Sequence, residues 1–298
     1  MNHKPILIVA GEPNSIFFEI LFKSLKSHKF KSPIILIASY RLLKLQMKVL
    51  KFNKKIKILD KKNLKEYKLN NKVLNLIDEN YNTKKAFKKI SSDSSEYIEN
   101  CFNIAVNLIK SGYTNKLING PISKKSFLKK KFLGITEYLA HKFKIKNVGM
   151  LIYNKSLSVC PVTTHIPIKF VSKKINRKLI IQKVNLINEF YKNNFSFKPK
   201  IAISGLNPHC ESISSINEDN QILTPTIKFL KKKRNKVYGP FPSDTIFLKK
   251  NRDKYDVILG MYHDQVLTPL KTLYEYDAIN ITLGLPFTRI SPDHGPNE

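Results

Sequence analysis

At 298 residues with 42% hydrophobic content, the chain is long enough to bury a sizeable core in one or two domains, which excludes a mainly disordered polymer. No apolar run approaches the roughly 18 residues of a membrane helix, so no membrane partner is expected. The formal charge of +31 points first to nucleic acid, yet among 53 basic residues only Arg41, Arg177, Arg234, Arg252 and Arg289 are arginines, the type that reads bases and clamps phosphates bidentately. The scattered lysines, set among abundant Asn and Ile, read as a compositional bias on a solvated face. No nucleic-acid partner is expected, although the charge would draw anionic substrates towards a cleft.

The elements alternate strand and helix. Residues 5–10 are strand-like, and Gly11-Glu12-Pro13 ends that run too early for a signal-peptide core. Residues 15–26 place Ile16, Ile20 and Leu21 on one helical face, and 33–38 form a second strand. Residues 55–60 and 73–77 are weaker strands, and 78–92 is a polar loop. The clearest helix covers 93–110: Asp93 with Glu96 resembles a capping box, Tyr97, Cys101, Ile104, Ala105 and Leu108 form a stripe, and Gly112 closes it.

Residues 116–119 are a strand ending in Gly120-Pro121-Ile122-Ser123-Lys124, and the lysine-rich segment at 124–134 is the expected domain junction. Strands at 148–153 and 156–162 join through Asn154-Lys155 as a hairpin. Helices follow at 178–191 and 218–233, the latter interrupted at Pro225, and strands at 237–241, 256–261 and 278–283 complete the set. The pattern is that of an α/β protein whose parallel sheets are covered by helices. Cys101, Cys160 and Cys210 are odd in number and widely spaced, so no disulfide framework is expected and the compartment reads as cytoplasmic.

Three strand-like runs each deliver a histidine just past their carboxyl end: His165 after Thr163-Thr164, His209 after Leu206-Asn207-Pro208, and His263 after Met261-Tyr262. That edge is where open α/β sheets bind ligands. Converging there, three imidazoles would hold a divalent metal with room for substrate; spacing alone leaves three separate histidines equally open. Gly120-Pro121-Ile122-Ser123-Lys124 offers amides and a lysine to an anion, or is a simple turn. Arg289, following a strand and turn, suits a phosphate clamp, with Lys271 upstream. No GxGxxG follows the first strand and no GxSxG elbow occurs.

Gly205-Leu206-Asn207-Pro208-His209, Thr163-Thr164-His165, Met261-Tyr262-His263-Asp264-Gln265 and Asn280-Ile281-Thr282-Leu283-Gly284-Leu285-Pro286-Phe287 resemble the signature blocks of the 4-hydroxythreonine-4-phosphate dehydrogenases. Gly11-Glu12-Pro13, Gly120-Pro121-Ile122-Ser123-Lys124, Gly239-Pro240-Phe241-Pro242-Ser243-Asp244-Thr245 and Asp293-His294-Gly295 support the resemblance, in family order along essentially the whole chain. It implies two α/β/α domains with a cleft between them, as in isocitrate and isopropylmalate dehydrogenases. The first domain would be 1–130 completed by 285–298, and the second, 131–284, would carry the histidines.

The implied activity is NAD-dependent (or NADP-dependent) oxidation of 4-phosphooxy-L-threonine to 2-amino-3-oxo-4-phosphooxybutanoate. That acid loses carbon dioxide to give 3-amino-2-oxopropyl phosphate, in pyridoxal phosphate biosynthesis. A sister activity on a phosphorylated threonate or erythronate, or an inactive relative, is the alternative. By motif match, His165, His209 and His263 would ligate a divalent metal (zinc, magnesium or cobalt) shared between the subunits of a homodimer. Thr136, Lys271, Asn280 and Arg289 would contact the phosphorylated substrate, and Asp244 and Asp264 would support proton transfer or the ligands. The residues binding the nicotinamide cofactor are not assigned.

Three departures stand out. Gly134-Ile135-Thr136-Glu137 replaces the family's Gly-His-Thr-Glu, Asn14-Ser15-Ile16 replaces a Gly-rich continuation, and the ending after Asp293-His294-Gly295 reads as a fragment or as loss of a final helical element.

Overall fold

The computed structural model describes residues 3–128, 131–132, 134–211 and 217–292. The Asp293-His294-Gly295 block, the chain ending and Lys129-Lys130 lie outside the described residues. The chain divides into two compact units, one from Met1–Phe143 with the chain from Leu285 onward, the other Lys144–Gly284.

In the first unit the strands are β1 (Ile6–Val9), β2 (Ile34–Ala38), β3 (Ile56–Ile58), β4 (Leu74–Asp78), β5 (Lys116–Asn119) and, from the returning chain, β12 (Thr288–Ser291). They lie in the order β3-β4-β2-β1-β5-β12, every neighbouring pair parallel. The helices are α1 (Phe17–Ser27), α2 (Tyr40–Val49), α3 (Ser95–Lys110) and α4 (Ile135–Lys142).

Strand side chains alternate between two cores. Leu7, Val9, Ile35 and Ile37 pack with Tyr97, Ile98, Phe102 and Ala105 of α3, whereas Ile8, Ala10, Leu36 and Ala38 pack with Phe18, Leu21, Leu42 and Leu43 of α1 and α2. A period of two on a parallel strand buries both faces, which produces the α/β/α layering and contributes about 1.5–3 kcal/mol per fully buried aliphatic side chain.

Two local details differ from the sequence expectation. Ser92–Ser94 forms a 3-10 turn ahead of α3, so Asp93 lies inside that turn rather than at a capping box. The Ser94 hydroxyl is diverted from capping to the Glu12 carboxylate, at 3.0 Å. The expected junction at 130/131 also shifts, to 143/144. Lysines disguise 124–134 as a linker, but Phe127 and Leu128 are buried and join Tyr138 of α4 in the α3 core, with the Phe127–Tyr138 ring centroids at 5.3 Å. Helices α2 and α4 carry no sequence expectation. The short amphipathic face of α2 (Leu42, Leu43, Met47) is interrupted by a buried Gln46 that donates to the Pro13 and Ala86 carbonyls.

In the second unit the strands are β6 (Gly149–Tyr153), β7 (Ser158–Thr163), β8 (Ile201–Ser204), β9 (Val237–Phe241), β10 (Val257–Tyr262) and β11 (Ile279–Leu283). Their order is β11-β6-β7-β10-β8-β9. β6 runs antiparallel to both β11 and β7, because the Asn154-Lys155 hairpin reverses the chain; β7, β10, β8 and β9 are mutually parallel. The helices are α5 (Val171–Lys174), α6 (Arg177–Phe195), α7 (Thr224–Lys232), α8 (Ser243–Ile246), α9 (Lys249–Arg252) and α10 (His263–Tyr274).

Asn176 caps α6, its side chain accepting from the Leu179 amide. Pro225 opens α7 after a π-helical turn, Asp219–Leu223, where its missing N–H is harmless. Met150, Val159, Ala202 and Ile258 pack with Ile246, Val266 and Leu270 of α8 and α10. No described helix is long and apolar enough to cross a membrane.

Candidate functional site

The parallel strands β7, β10 and β8 are neighbours, so their carboxyl ends form one edge. His165 lies just beyond β7, His263 opens α10 directly after β10, and His209 sits in the loop after β8. His165 and His209 have φ of 51° and 55°, and Cys210 beside the latter has 61°. The left-handed region costs a non-glycine residue about 1–2 kcal/mol, so this edge holds strain that its surroundings must enforce.

The His165 and His263 rings approach to 5.6 Å between centroids. Two imidazoles on one tetrahedral ion, each with nitrogen about 2.1 Å from it, place their centroids about 5 Å apart, so this pair fits a shared divalent metal. Behind it, His263 Nδ1 meets Asp264 Oδ1 at 2.8 Å. A carboxylate only accepts, so Nδ1 is the donor, and in the neutral ring this tautomer leaves the Nε2 lone pair for a ligand. Within one chain, and among the described residues, no three His, Cys, Asp or Glu side chains close on a single point. His209 therefore does not join the His165–His263 pair inside one chain.

His209 and Asp244 instead line a pocket of about 340 Å³ with Asn207, Ser243, Tyr262 and Gln265, within the usual size for small-molecule sites. Its floor is a hydrogen-bond lattice. Gln265 accepts from the Met261 amide at 2.6 Å and donates to the Gly205 carbonyl at 2.7 Å and to Ser243 Oγ at 2.8 Å. Gln265 thus ties the end of β10 to the end of β8 and to the start of α8. Thr163 Oγ1 adds a bond to the Met261 carbonyl at 2.7 Å, joining β7 to β10.

Asp219, fully buried, accepts from the Leu206 and Asn207 amides at 2.8 and 2.9 Å. Sequence reasoning quoted Gln265 and Ser243 only as parts of blocks and passed over Asp219. Buried residues that hold others in place carry no local spacing signature; a buried-looking acid in the first turn after the histidine loop is the signal available.

The expected substrate contacts divide between the units. Lys271 of α10 has its Nζ 5.8 Å from the Tyr276 ring centroid. Asn280 of β11 keeps its Oδ1 buried without a hydrogen-bond partner among the described residues, the kind of orphan acceptor that ligands satisfy. Thr136, half-buried, lies on α4 in the first unit, as does its neighbour Ile135, whose side chain packs against the α3 core where an imidazole would have been polar.

Arg289 corrects an expectation. It follows β11 and the turn at Gly284 (φ 85°) as expected, but it lies inside β12 and is fully buried rather than exposed beyond the turn. Its Nε donates to Asn119 Oδ1 at 2.7 Å. Burial pushes its pKa down to about 9 while the Glu137 carboxylate opposes that fall, and a guanidinium remains charged at neutral pH.

Two of the other quoted blocks make internal hydrogen bonds. Glu12, buried, accepts from Asn14 and Ser94, fastening the end of β1 to the start of α3. The Ser123 hydroxyl accepts from the Ser126 amide at 3.2 Å, capping the π-helical turn Lys124–Leu128.

The family model described as pyridoxal phosphate biosynthetic protein PdxA matches residues 29–297 of this chain. A 4-hydroxythreonine-4-phosphate dehydrogenase of Sulfurihydrogenibium sp. (strain YO3AOP1) is 38% identical over 302 residues, covering 97% of this chain and 89% of the relative. The D-threonate 4-phosphate dehydrogenase of Salmonella typhimurium is 32% identical over 302 residues, covering 99% and 92%. The crystal structure of a 4-hydroxythreonine-4-phosphate dehydrogenase from Klebsiella pneumoniae superposes with a TM-score of 0.84 at 28% identity, covering 98% of this chain and 91% of that one.

Proposed function

Since the chain belongs to the family of pyridoxal phosphate biosynthetic proteins PdxA, we propose that it is a cytoplasmic dehydrogenase using NAD or NADP and a divalent metal. Its substrate is 4-phosphooxy-L-threonine, oxidised to 2-amino-3-oxo-4-phosphooxybutanoate, which decarboxylates to 3-amino-2-oxopropyl phosphate. The observation that carries the metal requirement is the His165–His263 pair at 5.6 Å, backed by Asp264 at a parallel strand edge. The substrate follows the more similar relative, at 38% identity against 32%.

His165 and His263 would hold the ion, zinc, magnesium or cobalt, and His209 of a second copy would complete the set in a homodimer. When bound, such an ion lowers the pKa of the substrate hydroxyl and polarises the carbonyl that replaces it. The chain's own groups do the rest. Asp264 fixes the tautomer and orientation of His263. Lys271 and Arg289 hold the anionic groups of the substrate, Thr136 and Asn280 bond its polar atoms, and together they fix the carbon whose hydride leaves. Asp244, exposed beside His209, is the candidate for relaying the hydroxyl proton to solvent.

One observation favours a second substrate, D-threonate 4-phosphate. Relatives with that name match almost the whole chain, at 32% and 31% identity. Reduced-cofactor formation from each substrate with metal present separates the two. Turnover of D-threonate 4-phosphate with none of 4-phosphooxy-L-threonine would overturn the pathway assignment.

A further inference from the structure

We infer that Asp219 is a positioning residue that sets His209 for metal binding, a role that rests on the metal reading above. The loop leaves β8 at Gly205, whose amide donates to the Phe241 carbonyl at 2.8 Å. From there to His209 no strand pairing occurs among the described residues, and both backbone amides that follow Gly205 are held by one carboxylate. Asp219 Oδ1 accepts from the Leu206 amide at 2.8 Å; Oδ2 accepts from the Asn207 amide at 2.9 Å and from Asn207 Nδ2 at 3.0 Å. Glu218 Oε2 takes the same amide group at 3.0 Å.

Asn207 is thereby held through both backbone and side chain. Its carbonyl then accepts from the Cys210 amide at 3.1 Å, and the Pro208 carbonyl accepts from the Glu211 amide at 3.0 Å, closing the 3-10 turn Pro208–Cys210 around His209.

Two features make this more than a stable loop. His209 and Cys210 are consecutive non-glycine residues in the left-handed region, a conformation that persists only where neighbours over-determine it. The enforcing group is a fully buried acid whose two oxygens accept from the Leu206 and Asn207 amides just ahead of the strained pair. The carboxylate also closes over Gly205: a Cβ there would lie 3.0 Å from Asp219 Oδ1 and 2.6 Å from Cys210 Sγ. Both Asp219 oxygens are engaged by amide donors, so its part is to aim His209 rather than to coordinate.

The test reads metal binding directly, without substrate or nicotinamide. Protein stripped with a chelator is titrated with Co²⁺, followed by visible absorption and calorimetry, for the wild type, His209→Ala, Asp219→Asn and Asp219→Glu. Asp219→Asn turns an amide group towards donors, and its Co²⁺ affinity is expected to fall about 10–100-fold with the circular dichroism spectrum retained. Asp219→Glu keeps the charge and recovers part of the loss.

Wild-type affinity in a folded Asp219→Asn protein, with His209→Ala weakened, overturns the positioning role and leaves the metal reading intact. Unchanged affinity in His209→Ala overturns the metal reading and the positioning role with it. If Asp219→Asn does not fold, Asn207→Ser, which removes only the side-chain limb of the clamp, decides. A severalfold weakening supports the role, and wild-type affinity overturns it.

Discussion

The carboxyl edges of the two sheets are built in opposite ways. In the first unit the polar residues at the edge are sealed: Glu12, Asn119 and Arg289 are buried and hydrogen-bonded. There the backbones of β1 and β5 approach so closely that a Cβ on Gly120 would lie 2.1 Å from the Ala10 carbonyl. In the second unit the edge carries exposed His165 and His209 on left-handed backbone and half-exposed His263 at a helix start, with Asp219 and Gln265 anchoring the loop after β8. A charge held inside a sheet needs rigidity, because misplacing it leaves a buried ion unpaired. A metal ligand needs reach, which a strained loop on a rigid floor supplies. Chemistry at the first edge is therefore expected to fail through binding, and at the second through the metal.

The largest expected effect breaks the second edge. His263→Ala removes one of the paired imidazoles, and kcat/KM should fall on the order of a thousandfold, about 4 kcal/mol of transition-state stabilisation. A chelator should do the same to the wild type, and added divalent metal should reverse it. Mixing His263→Ala chains with His209→Ala chains sharpens the point. If His209 comes from the second copy, half of the randomly paired dimers regain one intact site of two, and about a quarter of wild-type activity returns. No recovery on mixing, with dimers present by sedimentation, would show that the ligands are not shared.

At the first edge, Arg289→Met should raise KM about a hundredfold by removing a charge-assisted contact to the substrate phosphate. Its effect on stability runs the other way. The pKa of Arg289 is lowered in the fold, so the charged form is disfavoured there relative to the unfolded chain, and at neutral pH its burial costs stability. Removing the charge relieves that cost but strips a donor from Asn119 Oδ1 and a counter-charge from Glu137, so the two effects offset and Tm is expected to hold. A protein that loses stability steeply while KM is unchanged would make Arg289 a structural residue.

Gly120→Ala probes the same edge through the backbone. The new methyl would meet the Ala10 carbonyl and the Phe17 ring, at 2.1 and 2.7 Å, and the carbonyl belongs to a strand that cannot step aside. A loss of about 2–3 kcal/mol is expected in denaturant titration.

These contrasts show what the sequence made legible. Strand positions were readable because short continuous runs of Val, Ile and Leu mark buried strands, and so the three histidines could be placed at carboxyl ends from their neighbours, although Pro161 and Gly260 lie inside β7 and β10 rather than ending them. That β10 lies between β7 and β8, so that His165 meets His263 and not His209, depends on strand order, which no local pattern encodes. Arg289 was visible as a rare residue type, but its burial was not, because the turn before it is set by Gly284 and Phe287 finding tertiary partners. The lysines at 124–131 hid Phe127 and Leu128, since composition does not say which residues of a segment are buried. Asp219 was invisible for a related reason: a carboxylate accepting from backbone amides has no partner residue type to search for.

The smallest expected effect tests the strain itself. His209 holds φ at 55°, a conformation glycine adopts without the steric cost to Cβ, although glycine surrenders more backbone entropy on folding. The two contributions oppose, and the strain is the larger by a narrow margin. His209→Gly should therefore stabilise the chain by about 0.5–1 kcal/mol, roughly 1–2 °C in Tm for a protein of this size, while Co²⁺ affinity falls as in His209→Ala. His209→Ala, which keeps a Cβ, should show the metal loss without the gain in Tm. If the glycine variant melts below the alanine variant, the left-handed backbone at His209 is relaxed in solution, and the second edge is not held under strain.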